Sequence, residues 1–271
     1  MTKPPSWAVV TGAGSGIGAA LAIELARRGC RPILVGRRAA ALETTRRSLP
    51  DPRAAMCVPC DLGSAAARAQ LIGRVSAAIA NEGGELRYLV HNAGVGPPSP
   101  DLANMAAGDL EQALAVNVLA PLVLTQGWLP LLRAAGGPAR ILLIGAGIAD
   151  RAQPGTGTYG ISKKAQHRLF EQMLVDFAAE TANTPQVAMF RPGVVDTEGL
   201  REHCRLAREC GLPHVDYLDG ALTNGEARSG ETVARAMAKA LLDAGENAFN
   251  GQILKTGDWH TQAHASDPES E

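Results

Sequence analysis

A tyrosine and a lysine at i and i+4, Tyr159 and Lys163, share one face of any helix that carries them. A phenol ordinarily titrates near 10, too high for acid–base work at neutral pH. An ammonium beside it stabilises the phenolate and draws that value down, which makes the tyrosine a usable proton donor. Such a pair is more often an ordinary surface contact. Here it stands in a chain that opens with Thr11-Gly-Ala-Gly-Ser-Gly-Ile-Gly18, directly after the apolar run 7–10. Glycines at 12, 14, 16 and 18 permit a tight turn and a close backbone approach to a pyrophosphate, which then faces the positive end of the next helix. Together these features imply hydride chemistry on a dinucleotide, with tyrosine as the acid.

The elements that must position these residues follow from periodicity. Short apolar runs at 7–10, 32–35, 54–59, 87–90, 140–144, 186–190 and 252–254 read as strands. Helical stretches fall at about 16–28, 39–48, 64–81, 108–134, 158–181 and 230–243, and Gly29 is a stop signal after the first. This alternation implies one α/β domain: a doubly wound, parallel, seven-stranded sheet with ligands at the strands' carboxyl ends. The domain is expected to fill residues 1–260, with 261–271 a flexible acidic tail.

Composition narrows the partners. The chain has 271 residues, a net charge of −1 and 4% aromatics, which argues against nucleic acid and anionic membrane. No uninterrupted apolar run approaches the ~18 residues of a membrane span. Five cysteines and no apolar leader point to reduced thiols in a cytoplasm. Cys57-Val-Pro-Cys60 has metal or redox spacing, but it closes a strand with no second pair nearby, so buried structural thiols are expected. His203, Cys204, Cys210 and His214 are irregularly spaced among charges, which favours a mobile substrate loop over zinc. No metal is expected. His260 and His264 fall in the tail.

With these motifs in place the chain resembles the short-chain dehydrogenase/reductase family, from about residue 6 to 258. The resemblance rests on Thr11-Gly-x-x-x-Gly-x-Gly18, His91-Asn-Ala-Gly94 where the family has Asn-Asn-Ala-Gly, Asn117, Tyr159 with Lys163, and Pro192-Gly-Val-Val-Asp-Thr197. It implies the strand order 3-2-1-4-5-6-7 and a nicotinamide cofactor held by Gly12, Ser15, Gly16, Ile17 and Gly18. It implies further contacts from Asp61 and Leu62 at the adenine, Asn92, Ala93 and Gly94, Lys163, and Pro192, Gly193, Val195 and Thr197. At the end of the second strand an NAD enzyme would place a carboxylate for the ribose hydroxyls. This chain has Arg37 and Arg38 there, two guanidiniums that suit a 2′-phosphate, so NADP(H) is expected. The bland alternative is a solvated helix start. The resemblance implies that Tyr159 protonates a carbonyl oxygen, Lys163 holds the ribose and Asn117 anchors a water. It also implies a homodimer or homotetramer.

One part is absent. Thirteen residues before such a tyrosine the family carries a serine that donates to the substrate oxygen, and this chain has Ala146. Losing one such donor typically costs about 10²–10³ in rate. An engineered or naturally impaired reductase is the leading reading, because Tyr159, Lys163 and Asn117 stand together. Another donor, with Thr156 or Thr158 nearest, and a non-catalytic NADP(H)-binding sensor or partner protein are the alternatives. Residues 198–228 should form a lid that mixes Leu200, Leu206, Leu212 and Tyr217 with Arg201, His203, Arg205, Arg208 and His214. A surface helical hairpin for dimer contacts would read the same way. The layout after residue 185 looks most like the sepiapterin reductase and benzil reductase branch, which reduces ketones and vicinal diketones. The pterin-anchoring aspartate would fall near Lys255, which speaks against a pterin.

Overall fold

A computed structural model describes residues 5–180 and 183–259; the expected tail, with His260 and His264, lies outside them. The strands are β1 (Ser6–Thr11), β2 (Arg31–Gly36), β3 (Met56–Pro59), β4 (Glu85–His91), β5 (Arg140–Ile144), β6 (Gln186–Arg191), β7 (Val195–Asp196), β8 (Arg228–Ser229) and β9 (Ile253–Lys255). Seven of them form one sheet in the order β3-β2-β1-β4-β5-β6-β9, parallel throughout, as the alternation and the resemblance imply. β7 and β8 pair separately.

The helices are α1 (Gly16–Arg27), α2 (Ala39–Arg47), α3 (Ala65–Glu82), α4 (Ala107–Leu114), α5 (Ala120–Arg133), α6 (Gly157–Ala178), α7 (Glu198–Glu209), α8 (His214–Thr223), α9 (Gly230–Asp243) and α10 (Glu246–Phe249). Strand residues alternate between two buried layers, which is why the strands read as unbroken apolar runs. Val10, Leu34, Leu142 and Phe190 join Leu21 and Leu25 of α1 and Met237 and Leu241 of α9. Val9, Ile33, Ile141 and Met189 join Leu71 of α3, Trp128 of α5 and Phe170 of α6.

Three boundaries differ from expectation. Strand three begins at Met56, because Pro52–Ala54 forms a 3-10 turn whose Arg53 N–H bonds the Asp51 carboxylate. The expected helix 108–134 is α4 and α5 joined through a π turn, Ala115–Leu119, centred on Asn117. The helix expected over 158–181 runs from Gly157 to Ala178, with Ala179 as its C-cap. The run Ala107–Arg133 is long and apolar enough to cross a membrane by length and composition. In this fold its Ala120, Leu124, Trp128 and Leu132 pack beneath the sheet.

Helix α1 ends at Gly29, whose φ of +82° suits the left-handed stop; the Gly29 and Cys30 N–H groups bond back to Ala26 and Leu25. Arg140, buried at 7% exposure, closes α9 by donating to the carbonyls of Leu241 (2.8 Å) and Ala244 (2.5 Å). It also bonds Gln186 at 2.9 Å and lies 4.8 Å over the Phe249 ring.

Candidate active site

At the carboxyl ends of β1, β2 and β4 the chain leaves a cleft of about 310 Å³. Its floor is built by Thr11. The Thr11 hydroxyl donates to the Val90 carbonyl and accepts the N–H groups of Asn92 and Ala93, both at 3.0 Å. Asn92 Nδ2 returns a bond to the Thr11 carbonyl at 2.9 Å. The exits of β1 and β4 are thereby locked in one geometry, with Gly12, Ser15, Gly16, Ile17, Asn92, Ala93 and Gly94 facing the cleft.

Glycine is required here for separate reasons. Gly12 and Gly16 sit at φ +69° and +55°, where L side chains are strained. Gly18 does not line the cleft; a Cβ there would come 2.3 Å from the Gly12 carbonyl oxygen, so it is what lets α1 approach the turn. Ser15 leaves its hydroxyl free of any cap bond. A cradle of N–H groups at a helix start, emptied of side chains, fits a pyrophosphate.

Arg37, Arg38, Asp61 and Leu62 also line the cleft. Arg38 reaches Glu198, the first residue of α7, at 3.3 Å; both side chains are exposed. Buried Arg68 donates to the Leu62 carbonyl at 2.6 Å and fixes that wall. Thr197 faces the cleft while its Oγ1 caps α7 through the Leu200 N–H. Pro192, Gly193 and Val195 fall outside the lining: the Pro192 carbonyl accepts from Thr256, and Val195 is buried. The sequence reading missed Gly36, Ala41, Leu42, Cys60, Val95, Val116 and Gly199, all of which line the cleft. Most are apolar wall positions whose side chains give no chemical signal.

Beside Gly94 stand Asn117 and Lys163, with Tyr159 on the same helix as the lysine. Lys163 Nζ lies 5.6 Å from the Tyr159 ring centroid, on the shared face that i, i+4 spacing dictates. The ammonium donates to the Ile144 carbonyl (2.7 Å) and to Gln166 Oε1 (3.0 Å). Asn117 clasps Val95, accepting its N–H at 2.9 Å and donating to its carbonyl at 2.7 Å. It also donates to Ser162 Oγ at 2.8 Å, and Ser162 bonds the Tyr159 carbonyl, so the π turn is tied to the helix that carries the tyrosine. Ser99, a buried hydroxyl from the β4 exit loop, accepts the Thr158 N–H at 3.3 Å and braces the start of α6.

Electrostatics corrects one expectation. Burial pushes the Tyr159 phenol up to about 12 and the Lys163 ammonium down to about 8, since each charged form loses water. In the free protein, then, desolvation outweighs the help that Lys163 was expected to give. His91, standing where the family has asparagine, is buried against Thr125 Oγ1 at 3.0 Å and kept neutral by burial, its value near 3.

Ala146 lies on extended backbone just before the 3-10 turn Gly147–Ala149. The two suggested substitute donors stand differently. Thr156 Oγ1 is bonded to the Gln153 carbonyl at 2.8 Å, and Thr158 Oγ1 is sealed from solvent with no partner.

The segment 198–228 is not a loop. Helices α7 and α8 pack through Cys204, Ala207, Leu212 and Val215 into a small core of their own. Cys210 is exposed, and His203 and His214 converge with Nε2 atoms 2.9 Å apart. Among the described residues no group of three or more His, Cys, Asp or Glu gathers to hold a metal ion. Cys60 is buried and Cys57 half-buried; both are free thiols raised by burial.

Residues 6–205 match the family described as short chain dehydrogenase, and the chain belongs to it. It is 28% identical over 244 residues to a short chain dehydrogenase of Penicillium thymicola, spanning 82% of this chain and 86% of that one. It is 33% identical over 189 residues to the rhamnolipids biosynthesis 3-oxoacyl-[acyl-carrier-protein] reductase of Pseudomonas aeruginosa, spanning 67% and 70%. Among solved structures, a 3-oxoacyl-(acyl-carrier-protein) reductase from Agrobacterium tumefaciens C58 with NADP bound superposes with a TM-score of 0.73. That protein is 26% identical, with 93% of each chain covered. The family's cofactor is NAD(P).

Proposed function

We propose that this protein is an NADPH-dependent carbonyl reductase, or alcohol dehydrogenase in the reverse direction, acting on a ketone or vicinal diketone of small to medium size. The observation that carries this reading is the meeting of three parts: the glycine cleft, the Arg37–Arg38 end, and the Tyr159–Lys163–Asn117 cluster beside Gly94. Both guanidiniums favour a 2′-phosphate over a bare ribose. Relatives named as reductases, one of them crystallised with NADP, support it. When bound, NADPH supplies the hydride. Tyr159 gives its phenolic proton to the carbonyl oxygen, Lys163 stabilises the phenolate left behind, and Asn117 holds the Val95 backbone and α6 in register.

The second reading is a non-catalytic NADP(H)-binding sensor or partner protein. Ala146 favours it, because no hydroxyl stands at that position to fix the substrate oxygen. Ala146→Ser separates the two. The reductase reading expects NADPH oxidation with benzil to rise about 10²-fold, and only while Tyr159 is present. NADPH binding without any gain across a panel of ketones and diketones places the sensor reading ahead.

A further inference from the structure

The lid touches the walls of the Tyr159 pocket through two imidazoles. His203 comes from α7 and His214 from α8, and their Nε2 atoms stand 2.9 Å apart with rings tilted at 45°. The Gly96 backbone stands near enough to His203 to favour its protonated form, against the larger effect of burial. That glycine lies flat against the Tyr159 ring: a Cβ on it would fall 2.4 Å from Tyr159 Cδ2. His214 faces the backbone of the 153–155 turn, toward the Pro154 carbonyl and against Gly155. The two walls are themselves joined, since the Ser99 N–H bonds the Gly155 carbonyl at 3.2 Å. The imidazole pair therefore joins α7 to α8 and sets His214 against the 153–155 wall.

We propose that His203 and His214 are positioning residues that clasp the lid over the Tyr159 pocket through a single shared proton.

Proton counting fixes how the clasp works. Two carbonyls and one nitrogen–nitrogen contact need three N–H groups, whereas two neutral imidazoles carry two. One contact must go unmade, and His214 Nδ1 is a buried atom without a hydrogen-bond partner. A third proton would satisfy it but would bring a charge into a half-buried pair. Burial wins: it is the largest influence on both rings, and it holds each below the ordinary imidazole value of 6.5. A second proton on the Nε2 contact would set two N–H groups against each other. The closed lid thus holds fewer protons than the open one, so closure is complete above the ordinary imidazole range and is lost as pH falls through it.

Little else faces the pair. On α7, Arg201 turns to Asp196 and Glu202 to Arg205, and on α8 Asp216 is exposed. From the 153–155 turn His214 meets Gly155, and the Tyr159 ring packs against Gly96.

The test is hydrogen exchange of the lid peptides 198–223 in the full chain, from pH 7.5 to 5.5, with intrinsic exchange corrected. Wild-type lid opening should increase as pH falls, by up to about tenfold per pH unit for a one-proton difference. The double variant His203→Gln, His214→Gln keeps two hydrogen-bonding side chains that do not titrate, and its lid should stay protected across the range. A flat wild-type profile, or the same slope in the double variant, overturns the clasp. This readout needs no turnover, so its failure is distinct from failure of the reductase reading. In an Ala146→Ser background, His214→Phe should raise the KM for benzil several-fold with kcat and NADPH affinity held, as expected for a lost ground-state contact. A fall in kcat alone would count against a positioning role.

Discussion

Gly96→Ala is the sharpest probe of whether Tyr159 acts from where it stands. Gly96 does not adopt positive φ, so alanine strains no backbone there and the effect is purely spatial. The new methyl would lie 2.4 Å from Tyr159 Cδ2, 2.6 Å from its Cβ and 2.7 Å from its Cγ, against an ordinary contact of 3.4–4 Å. Ring or loop must move by about 1 Å, and a displacement of that size at a reacting group costs on the order of 10² in rate. That is about 2.7 kcal/mol of transition-state stabilisation. Overpacking should also lower folding stability by about 1–3 kcal/mol. The cofactor cleft is lined by Gly94 and Val95 but not by Gly96, so NADPH affinity should hold. The assay is kcat with benzil in an Ala146→Ser background, beside NADPH fluorescence titration and urea unfolding. A kcat within about threefold of the parent would show that Tyr159 has no role fixed to this position, and the reasoning would fail.

Three further outcomes follow. Arg37→Ala should weaken NADPH about tenfold or more by removing a charge-assisted contact, with NADH unchanged; fluorescence titration of both cofactors checks it. Arg140→Met should destabilise the fold by about 1–3 kcal/mol for each buried acceptor left unpaired, read in urea, because the carbonyls ending α9 and Gln186 Oε1 lose their donor. Activity should depend on the Lys163 ammonium, so kcat/KM should fall as pH rises through about 8. The same group acts with the opposite sign on folding. Its value drops from 10.5 to about 8 on burial, so its cost is full below pH 8 and is relieved between 8 and 10.5, where stability should rise.

Much of the fold was legible because its signals are local. Strands buried on both faces read as apolar runs, and Gly12, Gly16 and Gly29 mark turns that need positive φ. Tyr159 and Lys163 were legible because helical spacing alone puts them together. The π turn at Asn117 was missed, although Pro121 signals it: lacking an N–H, Pro121 cannot bond the carbonyl four residues back, which is that of Asn117. The lid was harder. Its composition allowed a loop or a hairpin, and the meeting of His203 with His214 depends on how α7 crosses α8. No sequence period encodes that crossing. The Tyr159 and Lys163 values were missed for a related reason, since desolvation is a property of the whole surrounding shell.

The deficit proposed at Ala146 concerns one side chain. Its backbone is extended at φ −146° and ψ 146°, a conformation serine adopts without cost. The segment is held by contacts that do not involve the side chain: the Gly145 N–H bonds the Phe190 carbonyl at 2.9 Å, and Arg191 forks onto Asp150 at 2.6 and 3.1 Å. Those bonds tie the end of β5 and the turn after it to the end of β6, while Lys163 donates to the Ile144 carbonyl two residues before Ala146. A serine at 146 would therefore inherit a fixed position and need no rearrangement of the pocket. Thr156 is committed to Gln153, whereas the Thr158 hydroxyl is sealed and unpartnered, so Thr158→Val in the Ala146→Ser background separates its contribution from that of the added hydroxyl. The proposed reductase and sensor readings thus differ by the response to one oxygen.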